Sequence, residues 1–149
     1  MILADQNATE AVACGLAGQL RGGDIIGLSG GLGAGKTTFV RHLLAALGHR
    51  GEVPSPSFAI VQPYDDLTPR LWHADLYRIE DPKELPEIGL DSAADDTILI
   101  VEWPERAGPR AWPEALRLTF DITGPESRRL TALVPAAWEG RWPPPPLHR

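Results

Sequence analysis

The sequence contains very little cysteine, since Cys14 is the only one in 149 residues. A lone cysteine cannot close an intramolecular disulfide, and it has no partners for a cysteine-based metal site. Long apolar runs are also missing: no window approaches the roughly 18 residues of a membrane-spanning helix, and the first residues lack the basic and apolar stretches of a signal peptide. These absences predict a chain that folds in water, in a reducing, cytoplasmic setting.

Lysine is the second scarce residue. Only Lys36 and Lys83 occur, and all other cationic side chains apart from histidine are arginines. In total 14 Lys+Arg stand against 20 Asp+Glu, a formal net charge of -6. A field of that sign repels polyanions unless a local basic patch overrides it, so unaided binding to nucleic acid over a broad surface is disfavoured.

The length and composition are those of one water-soluble domain. Hydrophobic residues make up 43% and charged residues 23% of the chain, close to the averages of globular proteins. A chain of 149 residues is too short for an enzyme with separate cofactor and substrate domains. We expect a domain over residues 1–136, followed by a proline-rich tail over residues 137–149 that is extended or disordered.

The hydrophobic pattern predicts helices over residues 7–20, 36–47 and 81–90, the first of them capped by Asn7 or Thr9. Strands are predicted over 24–29, from about 58–61, over 71–75 and over 97–102. Residues 116–123 and 129–134, joined by a turn, indicate two antiparallel neighbours. The expected fold is therefore α/β: a mixed, mostly parallel central sheet flanked by helices, with a C-terminal antiparallel hairpin.

Residues 30–37 read Gly-Gly-Leu-Gly-Ala-Gly-Lys-Thr and lie between a predicted strand and a predicted helix. This is the pattern and the context of a phosphate-binding P-loop. Glycines let backbone N–H groups wrap closely around a phosphate, and the following helix adds its positive end. Lys36 then reaches the β- and γ-phosphates, and the Thr37 hydroxyl is placed to ligate Mg²⁺. We therefore expect a single P-loop NTPase domain.

Two acidic residues at predicted strand ends are candidates for a further Mg²⁺ ligand. Glu102 ends the most apolar strand and is assigned to the metal first. Asp75 could instead orient water, sense the γ-phosphate or cap the following turn. His73 is expected to be a packed or hydrogen-bonded strand residue rather than a catalyst, because the sequence positions no nucleophile for it to activate.

The base of the nucleotide is inferred by exclusion. GTPases of this class commonly carry an Asn/Thr-Lys-x-Asp signature for guanine, whereas here the only asparagine is Asn7 and neither lysine fits the pattern. ATP is therefore the expected nucleotide, although no adenine-specific motif is visible.

Four motifs in order resemble the TsaE family of bacterial ATPases, which are required for threonylcarbamoyladenosine in tRNA. They are residues 33–41, 55–58, 73–78 and 101–105, within a resemblance that spans about residues 7–134. Two departures occur: Gly31 replaces the family's usual Asp, and Ser57 replaces a Thr. The resemblance implies an ATPase that binds the TsaB–TsaD transferase pair in an ATP-dependent way and does not itself modify tRNA.

The resemblance also implies residue roles. Thr37 and Glu102 would hold Mg²⁺, while Lys36, Asp75 and Glu102 would form the catalytic set, with Asp75 assisting hydrolysis. Residues 55–58 would form a switch-like loop. Nucleotide contacts are implied for Thr9, Gly33, Ala34, Gly35, Lys36, Thr37, Thr38, Trp103 and Arg128, with Arg129 as the alternative to Arg128.

Two other functions remain open from the sequence. A small-metabolite or nucleoside kinase would use the same P-loop, but we find no insertion long enough to form the mobile lid that such a kinase usually carries. A nucleotide-gated interaction module would bind nucleotide without functional hydrolysis.

Overall fold

A computed structural model describes residues 1–53, 61–84, 90 and 95–145. Within them the chain forms two α-helices and seven strands. The helices are α1 (Gln6–Ala17) and α2 (Lys36–Ala46). The strands are β1 (Ile2–Leu3), β2 (Ile25–Ser29), β3 (Val61–Tyr64), β4 (Leu71–Asp75), β5 (Ile98–Glu102), β6 (Leu116–Ile122) and β7 (Arg128–Leu133).

All seven strands join one sheet in the order β1-β7-β6-β2-β5-β4-β3. The four central strands, β6, β2, β5 and β4, run parallel to one another. At the edges of the sheet, β3 is antiparallel to β4, β7 is antiparallel to β6, and β1 is antiparallel to β7. The expected α/β fold with a mixed sheet and a C-terminal antiparallel hairpin is confirmed. β2, which leads into the glycine loop, lies in the middle of the sheet.

The sheet is buried on both faces near its centre, as the near-continuous apolar sequence of β5 predicts. Ile98 and Ile100 face one way and belong to the larger core, which also contains the apolar side chains of α1 and α2. Leu99 and Val101 face the other way into a smaller core, which is covered by the described residues of the segments after β4 and β5. Both α-helices therefore lie on the same face of the sheet.

The start of α1 differs from the sequence prediction. The helix begins at Gln6, and its N-cap is Asp5, whose carboxylate accepts the N–H of Ala8 at 2.9 Å. Neither Asn7 nor Thr9 caps the helix, because both lie inside its first turns. Aspartate is among the preferred N-cap residues, and the correction shifts the helix start by one residue.

The tail that is expected to be extended or disordered is instead folded over residues 137–141. Residues 136–138 form a short 3₁₀ helix, and the indole of Trp138 is only 1% exposed. The chain then passes so close over α1 that a Cβ atom at Gly15 would lie 2.2 Å from the carbonyl oxygen of Pro145. The composition of the tail does not predict this packing, because the tail contacts residues that are far away in the sequence.

Arg141 anchors the tail to the start of β2. Its guanidinium binds both carboxylate oxygens of Asp24, at 2.6 and 3.0 Å, and donates to the carbonyl oxygens of Gln19 and Ala137 at 3.0 and 2.9 Å. It also lies 4.0 Å from the ring centroid of Trp138. A planar, always charged guanidinium suits such a buried, multiply hydrogen-bonded site.

Arg141→Leu is expected to lower the free energy of unfolding by about 3 kcal/mol, because it leaves the Asp24 carboxylate, whose side chain is only 11% exposed, without its ion-pair partner. Urea denaturation measures the loss. The double variant Arg141→Leu/Asp24→Asn removes that charge and keeps an acceptor for the Arg21 N–H, which now donates to Asp24 at 2.6 Å. The double variant should therefore recover part of the loss, and a loss below about 1 kcal/mol in the single variant would contradict a structural role for the tail.

Several predicted features lie wholly or partly outside the described residues. The switch-like loop at residues 55–58 and the first part of the strand predicted from 58 belong to the undescribed range 54–60. Of the helix predicted over 81–90, the described part contains a 3₁₀ turn at Pro82–Glu84. None of the described helices is long and apolar enough to cross a membrane.

Candidate functional site

The carboxyl ends of β2, β4 and β5 meet at one edge of the sheet. In the strand register Glu102 pairs with both Leu28 and Asp75, and His73 pairs with Ile100. Because side chains alternate along a strand, His73, Asp75, Ile100 and Glu102 project to the same face, where α2 packs. The topology thus places three polar side chains beside the loop that opens α2.

The glycine loop between β2 and α2 depends on its glycines at two positions in particular. Gly30 has a φ of +139°, and a Cβ atom there would lie 2.5 Å from the carbonyl oxygen of Phe120. Gly35 has a φ of +108° and is the N-cap of α2. Both conformations are accessible to glycine and strained for other residues. By contrast, a Cβ atom at Gly31 would meet no neighbour within 4 Å, so the structure shows no steric reason for glycine there.

The N-terminus of α2 has the properties of an anion-binding site. Gly35 has no side chain to cap the helix, and no described side chain supplies a capping hydrogen bond. The first backbone N–H groups of a helix lack partners within it, and the helix dipole places positive potential at the same end. The first residues of α2 line a cavity of about 860 Å³, a volume within the usual range of small-molecule sites.

Lys36 is the first residue of α2 and is 5% exposed. Its Nζ donates hydrogen bonds to the carbonyl oxygens of Gly30 and Gly31, the latter at 3.0 Å, and lies 4.6 Å from the ring centroid of Trp103. Burial lowers the pKa of the Lys36 ammonium, against the opposing attraction of Glu102, Asp75 and Glu105. A mobile cation at the mouth of an anion site is suited to bind phosphate.

Thr37 and Glu102 form a compact pair of oxygen ligands. The Thr37 Oγ1 donates to Glu102, at 3.1 Å from Oε1 and 3.3 Å from Oε2. The Glu102 carboxylate is 2% exposed, and the Nε2 of the fully buried His73 lies 2.6 Å from its Oε2. His73 is thus a hydrogen-bonded strand residue, as predicted, and it orients Glu102.

The Thr37–Glu102 pair fits Mg²⁺. The described residues contain no group of three or more His, Cys, Asp or Glu side chains that would cage a metal on their own. Mg²⁺ is commonly held by one or two protein oxygens, with waters and substrate phosphates completing an octahedron. One buried carboxylate and one hydroxyl at the phosphate loop supply that partial set.

Asp75 ends β4 and lines the cavity. Its Oδ1 accepts the backbone N–H of Tyr77 at 2.9 Å, so the turn-capping role among the predicted alternatives is present. Burial raises the pKa of Asp75, and the negative charge of Glu102 acts in the same direction, while the Tyr77 N–H, His73 and Lys36 oppose it. The group is therefore a stronger base than an ordinary aspartate.

The raised pKa predicts a pH-dependent stability difference. A carboxyl group whose pKa is higher in the folded chain binds its proton more tightly there, so its contribution to stability is complete at low pH and is lost as pH rises through the folded pKa. Asp75→Asn removes this penalty and keeps the acceptor for Tyr77. We expect a higher melting temperature than wild type at pH 7 and no difference below about pH 4, near the ordinary aspartate pKa. The same difference at both pH values would contradict the assignment.

Trp103 follows Glu102 with a left-handed backbone, φ 60° and ψ 50°, which is uncommon for a residue with a bulky side chain. Its N–H donates to the carbonyl oxygen of Leu28 at 2.9 Å, which fixes this turn to β2. The indole packs against Tyr77, with ring centroids 5.1 Å apart, and the guanidinium of Arg106 lies 5.7 Å from both rings. These aromatic side chains form one wall of the cavity.

The opposite wall contains Thr9 and Arg128. Thr9 lies in α1, and its hydroxyl donates to the carbonyl oxygen of Asp5 at 3.3 Å. Arg128 is the first residue of β7, and its side chain reaches the carbonyl oxygens of Gly33 and Ala34. Arg129 is exposed and is absent from the cavity lining, whereas Arg128 lines the cavity.

One cavity therefore contains every residue for which the sequence predicts a catalytic, nucleotide or metal contact. They are Thr9, Gly33, Ala34, Gly35, Lys36, Thr37, Thr38, Asp75, Glu102, Trp103 and Arg128. The sequence prediction missed the rim residues Asp5, Gln6 and Tyr77, and it missed the contact between His73 and Glu102. The spacing of His73 and Asp75 carried a signal for that contact, since residues two apart in a strand share a face.

Comparison with known proteins places the chain in a family. The sequence model described as "Threonylcarbamoyl adenosine biosynthesis protein TsaE" matches residues 3–130. The chain is 31% identical over 135 residues to a Rickettsia felis protein, covering 90% of this chain and 78% of that one, and 42% identical over 109 residues to one from Streptomyces coelicolor, covering 71% and 74%. Both relatives carry the name "tRNA threonylcarbamoyladenosine biosynthesis protein TsaE".

A solved structure supports the same assignment. The crystal structure of Bacillus subtilis YdiB superposes with a TM-score of 0.74 at 29% identity, covering 89% of this chain and 82% of that one. The family model alone covers most of the chain, and it includes the glycine loop, β4 and β5 that build the cavity. The chain therefore belongs to the TsaE family, as its four sequence motifs predicted.

Proposed function

We propose that the protein is a Mg²⁺-dependent ATPase that acts in the cytoplasm in the formation of N6-threonylcarbamoyladenosine at position 37 of ANN-decoding tRNAs. It associates with the TsaB–TsaD transferase pair when ATP is bound, and it hydrolyses ATP slowly on its own. The observation that carries the proposal is the convergence of the uncapped α2 N-terminus, Lys36 and the Thr37–Glu102 pair in one cavity of a TsaE-family chain.

Each side chain has a role that its position supports. The N–H groups at the start of α2 and the Lys36 ammonium bind the β- and γ-phosphates, and Lys36 exchanges its loop carbonyls for phosphate oxygens. Thr37 and Glu102 would hold Mg²⁺, which would supply positive charge against the phosphate oxygens. Asp75 orients the attacking water and accepts its proton, for which its raised pKa suits it.

The remaining site residues shape the cavity. His73 donates to Glu102 and keeps this ligand's carboxylate facing Thr37, and such outer hydrogen bonds support metal affinity. Trp103 lies against the Lys36 ammonium and excludes water from that side of it, which would strengthen the electrostatic attraction to phosphate. Tyr77 packs against Trp103. Thr9 and Arg128 close the other side of the nucleotide site.

The acidic chain suits a protein that acts on tRNA through partners. Its formal net charge of -6 opposes direct binding to the tRNA backbone, while a docked ATPase needs no basic surface of its own. We expect contact with tRNA to occur only within the complex with the transferase pair.

A pull-down with the TsaB–TsaD pair tests the association. Binding is expected with ATP and Mg²⁺, and weaker binding or none with ADP or without nucleotide. Asp75→Asn should still associate with ATP, whereas Lys36→Ala should not. No association of the wild-type protein under any condition would refute the proposed function.

A further inference from the structure

The carbonyl groups of the glycine loop are bound by two cationic side chains. Lys36 donates hydrogen bonds to the carbonyl oxygens of Gly30 and Gly31. Arg128 takes the next part of the loop: its Nε donates to the carbonyl oxygen of Ala34 at 3.0 Å, and its Nη2 donates to that of Gly33 at 3.4 Å. The Lys36 contacts must break when the ammonium turns to a phosphate, whereas the Arg128 contacts need not.

Arg128 is itself firmly held. Its Nη1 donates to the carbonyl oxygens of Gly124 and Ser127, at 3.2 and 2.8 Å, within the turn between β6 and β7. The backbone of Arg128 pairs with Ile122 in the β6–β7 ladder. The guanidinium therefore links a rigid hairpin turn to two peptide units of the loop, across 94 positions of the sequence.

Two of the three loop residues that Arg128 restrains are glycines, whose backbone angles are only weakly restricted by sterics. Gly33 and Gly35 have positive φ angles of +77° and +108°, and glycine moves between positive and negative φ at little cost. In a trans peptide unit the C=O and N–H groups point in opposite directions. A guanidinium that holds the Ala34 carbonyl therefore also fixes the direction of the Gly35 N–H, which belongs to the residue that caps α2.

We propose that Arg128 is a positioning residue that fixes the peptide planes of residues 33–35, so that the loop is arranged for phosphate before the nucleotide arrives. The inference rests on the proposed function only in taking the phosphates to be those of ATP. Arginine is needed because its planar fork spans several carbonyl groups, whereas lysine is a single point of charge. In this role Arg128 acts on the nucleotide through the loop backbone.

The neighbouring Arg129 supplies a matched control. It carries the same charge one residue further along β7, and it is exposed and lies outside the cavity. Arg129→Gln therefore removes one positive charge from the same strand without removing a contact to the loop. Any effect that depends only on net charge should appear in Arg128→Gln and Arg129→Gln alike.

The decisive measurement uses the full chain without nucleotide. Amide hydrogen exchange of Ala34, whose N–H donates to the carbonyl oxygen of Gly31 at 3.2 Å, is followed by NMR in wild type, Arg128→Gln, Arg128→Lys and Arg129→Gln. This N–H shares a peptide unit with the Gly33 carbonyl that Arg128 holds, so freeing that unit predicts an increase in exchange of about tenfold or more in Arg128→Gln, a smaller increase in Arg128→Lys and none in Arg129→Gln. Unchanged exchange in Arg128→Gln, or an equal increase in Arg129→Gln, would overturn the proposal.

Calorimetry supplies a second readout. Because the altered element is the phosphate loop, Arg128→Gln should weaken ATP, ADP and inorganic pyrophosphate by a similar factor, with Arg128→Lys restoring part of the affinity. A loss confined to ATP and ADP would instead show a contact to the nucleoside and would overturn the proposal. If the protein fails to support tRNA modification, the exchange result is unaffected, so failure of the proposed function is distinguishable from failure of this inference.

Discussion

Lys36→Ala is expected to weaken ATP binding by about 100-fold, the equivalent of a hydrogen-bonded charge worth close to 3 kcal/mol. Lys36 is the only lysine that lines the cavity, and the negative charges of Glu102, Asp75 and Glu105 oppose the lowering of its pKa by burial. The helix N-terminus remains in the variant, which explains why weak binding persists. Titration calorimetry with ATP and Mg²⁺ measures the change.

Lys83→Ala is the matched control, because it removes the other lysine of the chain from an exposed position. It should bind ATP as the wild type does. The thermal unfolding of Lys36→Ala should stay close to that of the wild type, since the lost hydrogen bonds are to the carbonyl oxygens of Gly30 and Gly31, neither of which is a buried residue. Unchanged ATP affinity in Lys36→Ala would remove the basis of the assigned phosphate site.

Asp75→Asn is expected to lower the single-turnover rate of ATP hydrolysis by about 10²–10⁴-fold, the usual contribution of a general base. An asparagine keeps the hydrogen bond from the Tyr77 N–H but can no longer accept a proton from water. ATP affinity should change little, since Lys36, Thr37 and the loop amides are untouched. Rapid mixing with radiolabelled ATP under excess protein measures the chemical step.

The same experiment separates the ATPase from a nucleotide-gated module. A module predicts equal rates near zero in the wild type and in Asp75→Asn, with binding intact in both. An ATPase predicts a clear difference between them. Asp81→Asn is a control, since the Asp81 carboxylate caps a turn in the same way, accepting the Lys83 N–H at 3.0 Å, but lies outside the cavity lining.

Local sequence signals predicted most of the sheet and the glycine loop, and the reason is physical. Strands such as β5 are buried on both faces, so their continuous apolar runs can be recognised in the sequence without knowing which strands they pair with. The Gly-Lys-Thr loop can be recognised because a backbone that wraps around a phosphate accepts few other residue types at these positions. The predicted strands also give the positions of their carboxyl ends, and for this reason Asp75 and Glu102 could be placed at one edge of the sheet.

The features that the sequence did not predict depend on contacts between distant residues. The tail appeared unable to pack, yet Arg141 binds Asp24 across 117 positions, and neither residue carries a local sign of the other. The contact between His73 and Glu102 likewise needs the register of β4 against β5. Arg128 reaches the loop only because the hairpin folds beside it, so its link to Ala34 was not visible from spacing.

The most direct test of the central claim is reconstituted tRNA modification. The TsaB–TsaD pair, an ANN-decoding tRNA, a source of the threonylcarbamoyl group and ATP are combined with the wild-type protein, Lys36→Ala or Asp75→Asn, and the modified adenosine is quantified over time. We predict repeated turnover with the wild type and none beyond the first round with either variant. Equal product with the wild type and Lys36→Ala would contradict the claim that ATP bound in this cavity drives the protein's role.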